Sequence, residues 1–307
     1  MSAASLLHVL LALALAPLLP GVVARTKAFF GGRRGPPLLQ LYFDLAKLVR
    51  KGAVVSRTTT ALFRLGPAAG LACVATALVL MPLGAVPPAA SFAGDAIAVV
   101  GLLAAARFVT MLAALDTGSA FEGMGASREA AFAALAEPAL LIGLAALARG
   151  ADGALSLGGM MGAVSAAGWT AHPQVYALLA AAFLGVVLTE NARIPVDDPT
   201  THLELTMIHE VMVLDHGGPD FAMIQYGAAL KLWVTGALVV GLVVPVRTGH
   251  ALADLAAGVA GQFLLAVVIG CIESSMARLR LVRVPHLLVG AGALSALAFL
   301  LSVWRPA

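Results

Sequence analysis

Cysteine is nearly absent from this chain: among 307 residues there are two, Cys73 and Cys271, both inside apolar stretches. They form no CxxC site, and two thiolates hold neither an iron–sulfur cluster nor a structural zinc. Metal-based redox chemistry is therefore assigned to other polypeptides. Charge is scarce as well, at 11% of residues. No basic segment precedes the first apolar run, Ser2 to Val23, so that run reads as a membrane span and not as a signal peptide. Nothing alternates as barrel strands would, no repeat of 20–50 residues is visible, and nothing points to nucleic acid as a partner.

What remains is overwhelmingly apolar. The chain is 61% hydrophobic with a mean hydropathy of +0.97. Several apolar runs are long enough to cross a bilayer, where backbone groups must be satisfied internally, and these runs are therefore helices. The expected fold is an all-α polytopic transmembrane bundle of about eight spans. After Ser2–Val23 these lie near Gly66–Val86, Phe92–Leu115, Glu129–Ala148, His172–Thr189, Ile224–Val246, Ala251–Ile272 and Val284–Trp304. Residues 1–307 read as one integral membrane domain with cytoplasmic loops at 25–65, 116–128, 190–223 and 273–283. Fourteen of the nineteen Lys and Arg residues fall on those connectors. By the positive-inside rule they face the cytoplasm, which puts both termini on the outer side of a cytoplasmic (inner) membrane.

Charge concentrates in one place. Between Thr189 and Asp215 stand Glu190, Arg193, Asp197, Asp198, Glu204, Glu210 and Asp215. Carboxylates at the edge of lipid are costly unless solvated, paired or used to move ions. A solvated loop is one reading. The other is an ordered segment, because Asp198-Pro199 has the form of an N-cap followed by proline at the first helical position. A helix from Pro199 to Asp215 would set Glu204 and Asp215 on one stripe, with His202, His209 and His216 on the roughly opposite one.

Earlier in the chain, Leu38, Leu41, Tyr42, Leu45, Leu48 and Val49 recur at helical spacing, with Asp44, Lys47 and Lys51 on a polar side. This predicts an amphipathic helix in the interface, too short to span, which by periodicity alone is a basic membrane anchor. Within the spans, Glu137 is the one ionisable residue of AAFAALAEPALLIGLAALA. Burial favours its protonated form unless a cation pairs with it, and Pro138 frees the carbonyl of Ala134 beside it. Either a proton relay or a static hydrogen bond between helices fits. Lys231 lies in the sixth span and is free to pair with Glu137 or Glu190. Glu273 ends the seventh span, and Arg107 lies in the third. Asp95, Arg149, Asp152, Arg247 and Asp254 mark the outer ends. Glu129 is expected near a helix N-terminus, where its charge is favourable.

Four segments carry a resemblance over nearly the whole chain. They are RRGP at Arg33–Pro36 with Gln40, Asp44 and Lys47; GASREA at Gly125–Ala130 with AEP at Ala136–Pro138; ENARIPVDDPTTHLEL at Glu190–Leu205; and ESSMARLRLVRVP at Glu273–Pro285. Together they resemble the subunit 1 family of respiratory complex I and its relatives in membrane-bound NiFe hydrogenases. Within that family the chain looks more like the hydrogenase-4 and formate hydrogenlyase subunit. Val196 stands where quinone-reducing members carry phenylalanine, Thr200 and His202 where they carry acids, and Arg33-Arg34-Gly35-Pro36-Pro37 where they carry R-P-G-P-N. The alternative is a quinone-binding subunit of a complex I-type oxidoreductase.

The resemblance implies a non-catalytic membrane subunit that docks a peripheral redox arm and begins a charged path for proton or sodium movement. It implies coupling acids at Glu137, Glu190, Asp197, Asp198, Glu204, Glu210 and Glu273, with Arg193, Lys231 and Arg278 as cationic partners. Arg33, Arg34, Gln40, Asp44 and Lys47 would form the docking surface. No cofactor is expected in this chain. A NiFe centre and iron–sulfur clusters would belong to hydrogenase large and small subunits and an iron–sulfur subunit, with antiporter-like subunits beside it in the bilayer.

Overall fold

A computed structural model describes residues 2–197 and 207–304. Asp198 and Glu204, with the proposed cap at Asp198-Pro199 and His202, lie outside the described residues. Among the described residues the regular structure is helical: α1 (Ala3–Leu15), α2 (Leu18–Phe30), α3 (Gln40–Val49), α4 (Ala61–Leu80), α5 (Asp95–Asp116), α6 (Ala120–Gly150), α7 (Leu157–Ala163), α8 (Ala166–Ala171), α9 (Pro173–Glu190), α10 (Gly218–Val243), α11 (Ala251–Ser275) and α12 (Val284–Val303). Among the described residues seven segments are individually long and apolar enough to cross a membrane, and α1 with α2 makes an eighth if that pair is one span bent by 52°. The break falls at Ala16-Pro17, where the proline ring cannot continue the hydrogen-bond ladder. The chain is a multi-pass membrane protein.

The helix α10 is the axis of the bundle. From Leu230 to Leu242 every residue except Lys231 is buried, with Trp233 fully enclosed. A helix apolar all round belongs in the middle of a bundle. It packs on α4 and α9 and touches α3 and α11, while α12 lies along α6 and α9, α4 along α5, and α11 along α2. Close approach uses small residues. A Cβ added at Gly143 would stand 2.3 Å from Phe183 Cε1, and one at Gly21 would stand 2.4 Å from the Leu38 carbonyl oxygen.

Three of the charges expected only to mark the interface, Asp95, Arg247 and Asp254, are structural latches. Asp95 is fully buried and accepts from the Leu157 N–H (2.6 Å), tying the start of α5 to the start of α7. Arg247 donates to the carbonyls of Val164 (2.8 Å) and Met161, and Asp254 accepts from the Thr248 N–H (2.7 Å). They do more than mark the interface.

Two sequence expectations need correction. The segment from Met207 to Asp215 is not α-helix; it contains one 3-10 turn, Glu210–Val213. Its backbone is satisfied by side chains instead. Asp197 Oδ2 accepts from the N–H groups of Ile208 (3.2 Å) and His209 (3.3 Å), and Arg128 donates to the Met207 carbonyl (2.9 Å). Such bonds compete directly with a helical ladder. The seven-residue histidine stripe therefore does not exist between His209 and His216. The second correction concerns Glu129. Because α6 already begins at Ala120, Glu129 sits in its third turn, buried, and not at an N-terminus.

Candidate functional site: a buried ion-pair cluster

Four helices place charge at one depth. Arg107, on α5, has a side chain 5% exposed. Its Nη1 lies 2.5 Å from Glu190 Oε1 at the end of α9, its Nη2 pairs with Glu137 on α6, and its Nε lies 3.9 Å from Glu129 Oε1 on the same helix. Glu190 is shared, since Lys231 Nζ on α10 stands 3.0 Å from Oε2. Of the two pairings open to Lys231 from sequence, it makes the one with Glu190. A planar guanidinium with several donors can serve carboxylates in different directions, which a point charge on a lysine cannot.

The packing follows from the sequence. Glu129 and Glu137 are eight residues apart, just over two turns, so both project from one face of α6. Asn191, next to Glu190, donates to Thr235 Oγ1 (2.9 Å), and Thr235 donates to the Lys231 carbonyl (2.8 Å). That chain of bonds fixes α9 against α10 beside the ion pair. Glu137 keeps about a third of its side chain exposed, whereas Glu190 and Glu129 are buried. The cluster is a network, and a buried network is strong only while each member has its partners.

A second set lies toward the connectors. Glu273, at the end of α11, takes Lys27 from α2 at 2.9 Å and Arg193 at 3.5 Å. Asp197 pairs with Arg278 at 2.7 Å while holding the 207–209 backbone. Glu210 lines the same cavity as Glu129 and Glu190. That cavity, of about 460 Å³, runs between α4, α10 and α3 with apolar walls that include Pro67, Leu71 and Ile224. Its charged end is made by Arg107, Glu129, Glu190 and Lys231. Among the described residues no group of three or more His, Cys, Asp or Glu is arranged to hold a metal. Cys73 and Cys271 are not bonded to one another.

The sequence-derived docking residues separate from this cluster. Gln40 donates to Asp44 (3.0 Å) one turn on in α3, while Arg33, Arg34 and Lys47 are exposed. Two members of the cluster were missed as site residues. The sequence places Arg107 within the third span and assigns it no acid, although a lone arginine within an apolar helix is itself a signal that carboxylates face it. Glu129 was hidden by the wrong start for α6.

The loop that covers the cluster carries a pH-sensitive contact. His216 stacks on Phe63, ring centroids 3.9 Å apart and planes 8° from parallel, and it is buried. Burial pushes its pKa below the ordinary 6.5, with Asp220 and Asp215 opposing in part. The folded state therefore binds the proton less tightly than the unfolded state. Its stabilising contribution is whole above 6.5 and is lost as pH falls from there toward the lowered value. Protection of the 207–217 amides, after correction for the intrinsic exchange rate, should fall as pH drops below the ordinary imidazole range, and His216→Phe should flatten that dependence.

The comparisons agree with this architecture. The solved structure of the membrane-bound sulfane sulfur reductase, an archaeal respiratory membrane complex, contains a chain that superposes with a TM-score of 0.81 at 20% identity, covering 97% of this chain and 98% of that one. Formate hydrogenlyase subunit 4 of Escherichia coli K12 is 33% identical over 291 residues, 92% of each chain. Hydrogenase-4 component C of the same organism is 31% identical over 302 residues, 96% of this chain and 94% of its own. The NADH dehydrogenase family pattern matches residues 3–304, and the chain belongs to that family, whose members are similar to subunit 1 of complex I.

Proposed function

We propose that this chain is the membrane-anchoring and coupling subunit of a complex I-like, membrane-bound NiFe hydrogenase of the hydrogenase-4 or formate hydrogenlyase type. The observation that carries the reading is the shared carboxylate Glu190, held between Arg107 and Lys231 inside the bundle. Through Glu129 and His209 that cluster also reaches the loop following α9. The two relatives above 30% identity, both named for hydrogenase complexes, support the choice of partner. In this reading a peripheral arm, holding the NiFe centre and iron–sulfur clusters in its own subunits, rests on the cytoplasmic loops. Arg33, Arg34, Gln40, Asp44 and Lys47 form part of that contact. Arg278–Asp197 joins the connector after α9 to the connector after α11, Arg193–Glu273 ties the former to α11, and displacement of the loops redistributes the pairing around Arg107. Glu137, at the far side of the guanidinium, passes the change toward antiporter-like subunits in the cytoplasmic membrane. Asp198, Glu204 and Glu210 belong to the same path by resemblance, with both chain termini on the outer side.

Copurification of this chain from its native membrane tests the assignment. A soluble large subunit retaining four cysteine ligands of a nickel site is the expected companion. A purified assembly with no nickel subunit would contradict it. One observation favours a second reading, a quinone-binding subunit: the 460 Å³ cavity has apolar walls and a charged end. Quinone extracted stoichiometrically from the purified assembly would decide for it.

A further inference from the structure

We propose that His209 is the proton-exchanging group through which the cytoplasmic loop sets the state of the Arg107 cluster, by passing a proton to and from Glu129. The inference deepens the coupling reading and rests on it. Glu129 turns one oxygen to each side. Its Oε1 lies 3.9 Å from Arg107 Nε, and its Oε2 lies 3.4 Å from His209 Nδ1. The Glu129 side chain is 6% exposed and the His209 side chain 32% exposed, so the imidazole stands between the buried acid and water. Both line the cavity that ends at Arg107, Glu190 and Lys231.

Charge balance gives the arrangement its meaning. Arg107 and Lys231 supply two positive charges against three carboxylates, Glu129, Glu137 and Glu190. With His209 neutral this set carries one net negative charge, and with His209 protonated it carries none. An uncompensated charge in the bundle interior is strongly disfavoured. Among the described residues His209 is the imidazole that contacts this set, and imidazole is a side chain that can both donate and accept a proton.

The ring is positioned by the chain around it. The His209 N–H donates to Asp197 Oδ2 (3.3 Å), and Asp197 is gripped by Arg278 (2.7 Å). Other charged groups face the same space. Arg128 on α6 donates to the Met207 carbonyl, while Arg193 from the turn after α9 and Glu210 line the cavity beside His209. Arg107 on α5 and Glu190 on α9 lie behind Glu129.

The transfer is simple. Nδ1 is buried and makes no hydrogen bond at 3.4 Å, so the ring first closes on Oε2; the Nδ1–H bond of the imidazolium then breaks as an O–H bond forms on Glu129 Oε2. Both groups become neutral, and no electron changes hands. Arg107 then loses its attraction to Glu129 and is left to Glu137 and Glu190. Return of the proton from Glu129 Oε2 to Nδ1 restores the first state, and the imidazolium exchanges its other proton, on Nε2, with the cytoplasm.

Infrared difference spectra of the assembled complex in lipid vesicles, recorded across pH, test this. A protonated-carboxyl band should rise and fall as pH is varied over about 5 to 8. It should vanish in Glu129→Gln and move by roughly one pH unit or more in His209→Gln. Ion translocation driven by hydrogen evolution should lose its dependence on cytoplasmic pH in His209→Gln. A wild-type complex with no titrating carboxyl in that window overturns the proposal without any variant. So does a band untouched by either substitution. If His209→Gln keeps the wild-type pH profile while Glu190→Gln stops translocation, this proposal falls and the coupling function stands. If both variants translocate as wild type, the coupling function falls as well.

Discussion

Arg107→Met destabilises the subunit by about 3–5 kcal/mol, the cost of removing one partner from a buried charge set. The magnitude follows from the number of groups left behind. Glu137, Glu190 and Glu129 all lose a cation; among the described residues Glu190 retains Lys231 and Glu129 retains the His209 imidazole, while Glu137 keeps no ion pair. Methionine fills much of the volume but hydrogen-bonds nothing. Arg107→Lys should rescue little, because one ammonium on a flexible stem cannot reach acids on two helices at once. The check is unfolding of the purified subunit in detergent, with subunit content of the membrane as a second readout. Unchanged stability in Arg107→Met would mean that these carboxylates are not held by it. Arg107→Met combined with Glu137→Gln and Glu129→Gln should recover part of the loss, since neutral amides no longer need the cation.

Gly125→Ala separates the covering loop from α6. A Cβ at Gly125 would stand 2.4 Å from Val211 Cγ1, 2.9 Å from the Ile208 carbonyl oxygen and 2.9 Å from Met212 Cγ. Val211 is β-branched and buried, and Ile208 offers backbone, so neither yields without moving the turn. Overpacking of this kind costs about 1–3 kcal/mol. Here the cost lands on the 207–213 segment, which carries His209 to Glu129 and Met212 into the cavity wall. Limited proteolysis should cut that segment several times faster in the variant, while the helices remain folded. Equal proteolysis rates would show that the loop is not held by this contact. Loss of the peripheral arm from the purified variant complex would place the arm's footing on the same loop.

Legibility from sequence tracked how local each cause is. Spans follow from runs of apolar residues, so the helices carrying Glu137, Glu190, Lys231 and Glu273 were readable as such. The interfacial helix was readable from its periodicity, and α3 occupies Gln40–Val49. What failed depended on partners distant in sequence. The Asp197 carboxylate takes N–H groups eleven and twelve residues away, and over residues 207–215 a single 3-10 turn stands where helix was expected. Helix propensity cannot report a competitor of that kind. Arg107 was visible as a residue and opaque as a role, since its acids come from positions 129, 137 and 190 on other helices. The break at Ala16-Pro17 was readable in principle from the proline, but an unbroken apolar run hid it.

Glu190→Gln tests the account most directly, because Glu190 is the one acid that Arg107 and Lys231 share. The complete complex in sealed vesicles, supplied with electrons, should be assayed for hydrogen evolution and for the ion gradient in the same sample. The account predicts a gradient per hydrogen well below the wild-type value in complexes that contain the variant subunit, with fewer such complexes assembled because Lys231 loses its carboxylate. A gradient per hydrogen equal to the wild-type value, in a complex that contains the variant subunit, would contradict it.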